Sequence, residues 1–144
     1  MNHYDKIWWL VENRIGGMPK PPIEQIPELH KQGLRAVASF LEGDDNLAEY
    51  KAQGFEVLHL PVVDDEAPKR EQAEAFAAFA EKMKQAELPL AVHCKGGNGR
   101  AGTMLASYFI LNGGDPAEVL KFMREINPKA VATKVQEAFL FSLV

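Results

Sequence analysis

At 144 residues the chain is long enough to bury the core of one domain and too short for two comfortable ones. Hydrophobic residues at 47% and charged residues at 25% are ordinary for a soluble globular fold, and a formal charge of -4 argues against a nucleic-acid binder, which presents a basic face. The single cysteine can make no internal disulfide and has no second thiol to resolve its oxidation. With no signal pattern at the N-terminus and no apolar run of membrane-spanning length, the expectation is one cytoplasmic domain over residues 1–144 with no membrane partner.

In chain order, the apolar and aromatic run Lys6 to Val11 suits a strand, with Trp8 and Trp9 as packing residues. Asn13 to Pro22 is too rich in glycine and proline for a helix or a central strand. Ile23 to Gln32 reads as a short helix stopped by Gly33, with Pro27 in its first turn. Leu34 to Phe40 is a strand, and Asp44 to Gln53 a second short helix opened by an Asp cap. Phe55 to Leu60 is the next strand, followed by an acidic loop from Pro61 to Pro68.

The longest helix then runs from about Pro68 to Glu87. Ala73, Phe76, Ala77, Ala80 and Met83 share one face, and Glu71 and Glu74 lie near its positive end. Leu88 to Val92 reads as a buried strand and Ala101 to Leu111 as a largely apolar helix. Asp115-Pro116-Ala117-Glu118 opens another helix that ends at Asn127-Pro128, and Val131 to Val144 forms the last. This alternation implies an α/β three-layer sandwich, with a mostly parallel sheet of four or five strands flanked by helices. Ligands in such sheets bind beyond the carboxyl ends of the strands, where Cys94 and Asp64 both fall.

Between the buried strand and the apolar helix lies His93-Cys94-Lys95-Gly96-Gly97-Asn98-Gly99-Arg100. A free thiol is mostly protonated at neutral pH, so a nucleophilic cysteine needs stabilisation of its thiolate. Loop N–H groups, the dipole of the following helix and the Arg100 guanidinium would all supply it. Glycines at 96, 97 and 99 let the backbone curl with its amides inward. Arg100 can grip two phosphate oxygens at once, a geometry lysine does not match. The loop is a site for phosphate chemistry, with Lys95 to Arg100 as the phosphate cradle and His93 as a positioning residue. A buried structural cysteine is the competing reading, which the strand–loop–helix context and the glycine content oppose.

The His93-Cys94-x5-Arg100 pattern resembles the signature of the cysteine-based protein tyrosine phosphatases. Within them the chain is similar to the small dual-specificity phosphatases of the VH1-like member Z type and their archaeal relatives. The likeness extends over Arg14 to Gly17, Pro61 to Pro68, Gly102 to Ala106 and Thr133 to Glu137. It implies hydrolysis of phosphomonoesters in two steps, through a phosphocysteine on Cys94, with no cofactor and no metal. The implied partner is a phosphorylated protein or peptide, and a monomer is expected.

The acidic turn Asp64-Asp65-Glu66 reads equally well as solvated surface or as a proton donor for the leaving group. The resemblance assigns the general acid to Asp64, or to Asp65 if the loop slips by one residue, since Val63 stands where many relatives have proline. It likewise makes Gln136 a family glutamine that positions the attacking water; on its own, Gln136 reads as an exposed polar residue of the last helix. Ala101 departs from the usual Ser or Thr, whose hydroxyl stabilises the departing thiolate, and Thr103 falls one turn too late to replace it. Slow release of phosphate is therefore expected.

Asn98 stands where protein phosphatases often have an apolar residue, and the loop is less basic than a polyphosphate lipid would favour. Arg14 to Pro22 reads either as a wall of the pocket or as a structural turn. His3, His30 and His59 have no mutual ligand spacing and read as surface or strand-packing residues. Two other functions compete: a phosphoinositide or RNA 5′-phosphatase, and a phosphate-binding pseudo-phosphatase with little turnover. Rhodanese-like sulfur transfer also uses a cysteine loop, but one of different length that lacks the Cys-x5-Arg spacing.

Overall fold

Alternate residues of the central strands face opposite ways, and the two resulting apolar faces define the layers. In a computed structural model that describes residues 5–144, the chain forms five strands and six α-helices. The strands are β1 Trp8–Val11, β2 Ile15–Met18, β3 Ala36–Ser39, β4 Glu56–His59 and β5 Leu90–His93. The helices are α1 Ile26–Lys31, α2 Leu47–Ala52, α3 Arg70–Gln85, α4 Gly99–Leu111, α5 Pro116–Ile126 and α6 Lys134–Phe141. The sheet order is β1-β2-β5-β3-β4, parallel except for the β1–β2 hairpin.

Leu90 and Val92 of β5, with Ala36 and Ala38 of β3, point into a core completed by Phe76 and Met83 of α3 and Met104 and Leu105 of α4. Ala91 and Val37, the residues between them, join Met18, Ile26, Leu29 and Tyr50 on the other face. Helices α1 and α2 thus cover one face and α3 to α6 the other. Each large side chain fully buried in these layers contributes roughly 1.5–3 kcal/mol of transfer free energy. Ala73, Phe76, Ala80 and Met83 form the buried stripe of α3, with Ala77 packed partly against it, as the periodicity predicts. No described helix is long and apolar enough to cross a membrane.

Several local expectations require correction. Ile15 to Met18 is an interior strand paired on both sides, in a segment whose glycines argue against one. The reason is a close approach: a Cβ on Gly17 would come within 2.4 Å of the Trp8 indole, so only glycine lets that ring lie on the strand. Asp44 does not cap α2. The helix starts at Leu47 after Asn46, which adopts φ 69, and the Asp44 carbonyl accepts the Leu47 N–H at 3.1 Å. The segment from Ile23 divides into a 3₁₀ turn, Ile23–Gln25, and the short α1.

The last helix is also shorter than its apolar pattern. Val131 adopts φ 62, and α6 begins after a capping box between Thr133 and Gln136. Asp115, by contrast, caps α5 as expected, accepting the Glu118 N–H at 3.1 Å. His3 lies outside the described residues.

Candidate active site

Strand β5 sits at the middle of the sheet, and its carboxyl end delivers Cys94 to the N-terminus of α4. Cys94 is 3% exposed. The carbonyls of Cys94, Lys95, Gly97, Asn98 and Gly99 each accept a hydrogen bond. His93 Nδ1 donates to the Cys94 carbonyl at 3.0 Å, the Lys20 N–H to Lys95 at 3.0 Å, and Trp8 Nε1 to Gly97 at 3.1 Å. The Val131 N–H donates to Asn98 at 3.0 Å and Thr103 Oγ1 to Gly99 at 2.7 Å. A trans peptide presents its N–H opposite its carbonyl, so carbonyls tied outward turn the amide edges inward.

Gly97 makes the tightest bend, at φ 82, where a Cβ would fall 2.4 Å from the Met18 carbonyl. Met18 to Lys20 therefore back the phosphate loop, whereas Arg14 lies at the other end of β2, against Glu87 at 3.7 Å.

His93 is fully buried, and burial pushes its pKa down from 6.5 to about 4, so the ring is neutral. Facing a carbonyl, Nδ1 must carry the proton. Nε2 is then the acceptor for the Tyr50 hydroxyl, 2.8 Å away. This tautomer makes His93 a brace for the Cys94 backbone rather than a proton carrier.

Arg100 occupies the first turn of α4 and is 5% exposed. One terminal nitrogen donates to the Val62 carbonyl at 2.9 Å; the other lies 3.5 Å from Asp64 Oδ1. Its Nε is buried with no acceptor among the described residues. A buried guanidinium with an unsatisfied donor is a ready partner for an oxyanion. Asp64 follows β4, two residues after the carbonyl that Arg100 grips, and is 71% exposed. The structure thus brings Cys94, Arg100 and Asp64 to one end of the sheet, and it is Asp64, at the nearer edge of the acidic turn, that meets the guanidinium. Asp65 takes the left-handed bend at φ 66.

Gln136 is 1% exposed, not a surface residue. Its Oε1 accepts from the Ala132 and Thr133 amides and its Nε2 donates to the Glu66 carbonyl at 3.2 Å. Ala101 is fully buried in the core beside Cys94's strand end, and Thr103 is committed to Gly99. His59 donates to or accepts from no catalytic residue; its Nε2 meets the Leu41 carbonyl at 2.8 Å, and His30 packs edge-on to Phe55. Among the described residues no group of three or more His, Cys, Asp or Glu is placed to hold a metal ion.

Sequence reasoning passed over Trp8 as a tie to the loop, and over Tyr50 and Asn127. Nothing local marks them, since their partners lie 89, 43 and 29 positions away. Two clefts of about 490 and 370 Å³ lie apart from this site, lined respectively by residues that include Arg14, Lys84 and Phe109, and Trp9, Gln32 and Leu34.

A family model described as "Tc-R-P: Polymorphic toxin system, DSP-PTPase phosphatase" matches residues 14–114. The crystal structure of Tk-PTP in the active form is 27% identical, covers 98% of this chain and 97% of its own, and superposes with a TM-score of 0.90. PTPMT1 in complex with PI(5)P is 22% identical, with coverages of 96% and 94% and a TM-score of 0.85. Human DUSP28 is 18% identical, with coverages of 92% and 92% and a TM-score of 0.78. The latter two share the fold.

Proposed function

The chain belongs to the DSP-PTPase phosphatase family, a cysteine-dependent dual-specificity phosphatase, and from that premise we propose that it hydrolyses phosphotyrosine in proteins or peptides, and phosphoserine or phosphothreonine in addition, through a phosphocysteine on Cys94. The observation that carries the assignment of residues is the meeting of Cys94's loop, the buried Arg100 with its unsatisfied Nε, and Asp64 at one sheet end.

In this reading the substrate phosphate lies in the cradle of Lys95 to Arg100, its oxygens on the amides and the guanidinium. Cys94 Sγ attacks phosphorus; the S–P bond forms as the ester P–O bond breaks, and Asp64 gives its proton to the leaving oxygen. Water then attacks phosphorus, the Asp64 carboxylate takes a water proton, and the S–P bond breaks to return the thiolate and release phosphate. His93 supports the loop, and Gln136 fixes the acid loop beside it. A cytoplasmic monomer accompanies this reading, tested by fractionation and by sizing.

The test compares initial rates on a phosphotyrosine peptide, a phosphoserine peptide, a phosphoinositide and a 5′-phosphorylated RNA. The expected result is highest kcat/KM on the phosphotyrosine peptide, loss of turnover in Cys94→Ser, and a slowed Asp64→Ala with a flattened alkaline limb, since the donor acts only while protonated. Preference for the lipid, the chemistry of the bound PTPMT1 structure, overturns the protein-substrate reading. A normal Asp64→Ala beside a crippled Asp65→Ala moves the acid by one residue.

A further inference from the structure

The segment between α5 and α6 touches both catalytic loops. Near its start, Asn127 Nδ2 donates to Asn98 Oδ1 of the phosphate loop at 2.9 Å. Val131 then donates its N–H to the Asn98 carbonyl at 3.0 Å while adopting φ 62, a conformation that a β-branched residue takes only under constraint. It is pressed against α4 at Gly102, where a Cβ would stand 2.9 Å from the Val131 nitrogen.

Two residues on, Thr133 Oγ1 donates its one proton to the Asp65 carbonyl at 3.0 Å and accepts the Gln136 N–H at 3.2 Å. Gln136 holds the next carbonyl of the acid loop, Glu66, from a position against Gly99 of the phosphate loop. The segment thus joins two loops that are far apart in sequence and must meet for proton transfer, with Asn127 and Val131 on the phosphate loop and Thr133 and Gln136 on the acid loop.

We propose that residues 127–136 act as a positioning bracket that footings on the phosphate loop carry, and that Thr133, through its donated hydrogen bond to Asp65, sets where Asp64 stands relative to the bound phosphate. This rests on the reading of Asp64 as general acid. Thr133 touches no reacting atom; it is a positioning residue for the donor. Removing its proton leaves phosphate capture by Arg100 and the loop amides in place and lets the acid drift.

The experiment measures kcat/KM, which reports the first chemical step whatever limits the second, on two aryl phosphates. Phenyl phosphate has a leaving group that needs a proton; 2,4-dinitrophenyl phosphate has one that leaves without it. Thr133→Asp retains an oxygen to cap α6 but cannot donate to a carbonyl. Thr133→Val removes both functions, and Thr133→Ser restores both. In Thr133→Asp and Thr133→Val, phenyl phosphate should lose about fivefold, the worth of one net hydrogen bond. The dinitrophenyl ester should stay within about twofold, the same criterion of one weak interaction at most.

Orthovanadate affinity should hold, and Thr133→Ser should behave as the parent. Equal losses on both esters, or no loss on either, overturn the bracket. Asp64→Asn is run alongside: if it loses activity equally on both esters, the assignment of the acid fails, whereas a selective loss there with none in the Thr133 variants rejects the bracket alone.

Discussion

Lowering the pH should destabilise this protein through one buried ring, His93. Burial holds that imidazole at about 4, whereas it titrates near 6.5 when exposed in the unfolded chain. Between those values the unfolded state binds a proton that the folded state refuses. The stability supplied by the neutral ring is therefore fully present above 6.5 and is lost as the pH falls toward 4. A pKa unit corresponds to about 1.4 kcal/mol, so the drop from pH 7 to pH 5 should cost about 2 kcal/mol. For a chain of this size that is a fall in Tm of roughly 6 °C.

The assay is urea unfolding at several pH values between 7 and 5, on the parent and on His93→Gln. All other titrating groups are shared, so the difference between the two proteins isolates the ring. The variant starts less stable, having lost the brace to Tyr50, and the gap should narrow by about 2 kcal/mol as the pH falls. A gap that stays constant from pH 7 to pH 5 refutes the buried neutral tautomer, and with it the proton placement on Nδ1.

Two further expectations concern the loop itself. Gly97→Ala should destabilise the fold and weaken phosphate binding, because the added Cβ meets the Met18 carbonyl at 2.4 Å on top of the strain at φ 82. Gly33→Ala, at φ 108 with open space around it, should cost only the conformational strain of about 1 kcal/mol, so equal losses in urea unfolding would contradict the packing argument. Ala101→Ser should raise steady-state turnover and reduce the burst of leaving group that precedes it, if slow phosphocysteine hydrolysis limits the parent. Stopped-flow kinetics reads both amplitudes, and a slower or unchanged variant contradicts the role given to the missing hydroxyl.

How much was legible in the chain depends on how locally each feature is encoded. The sequence from His93 to Arg100 carries nucleophile, cradle and cation contiguously, so its strand–loop–helix setting follows from the residues on either side. The stripe on α3 and the cap at Asp115 follow from spacing alone. Strand β2 did not, because Gly16 and Gly17 look like breakers until the Trp8 indole is placed over Gly17 and the backbone of Trp8 and Trp9 against Gly16. The start of α6 was hidden by an apolar pattern that runs on through Val131, whose backbone is bent out of the helix by its contacts with Asn98 and Gly102. Between Asp64 and Asp65 the residues alone do not choose; the family pattern favours Asp64, and it is Asp64 that lies 3.5 Å from the buried Arg100, a contact made across the fold that no local pattern announces.

The central claim, that phosphate passes through a covalent bond to Cys94, is tested most directly by rapid mixing with a phosphotyrosine peptide, acid quench and intact-protein mass spectrometry. The prediction is a species heavier by one phosphoryl group, mapped to the peptide containing Cys94, formed before steady state and absent in Cys94→Ser. Full turnover in Cys94→Ser, or phosphate carried on a different residue, would contradict it.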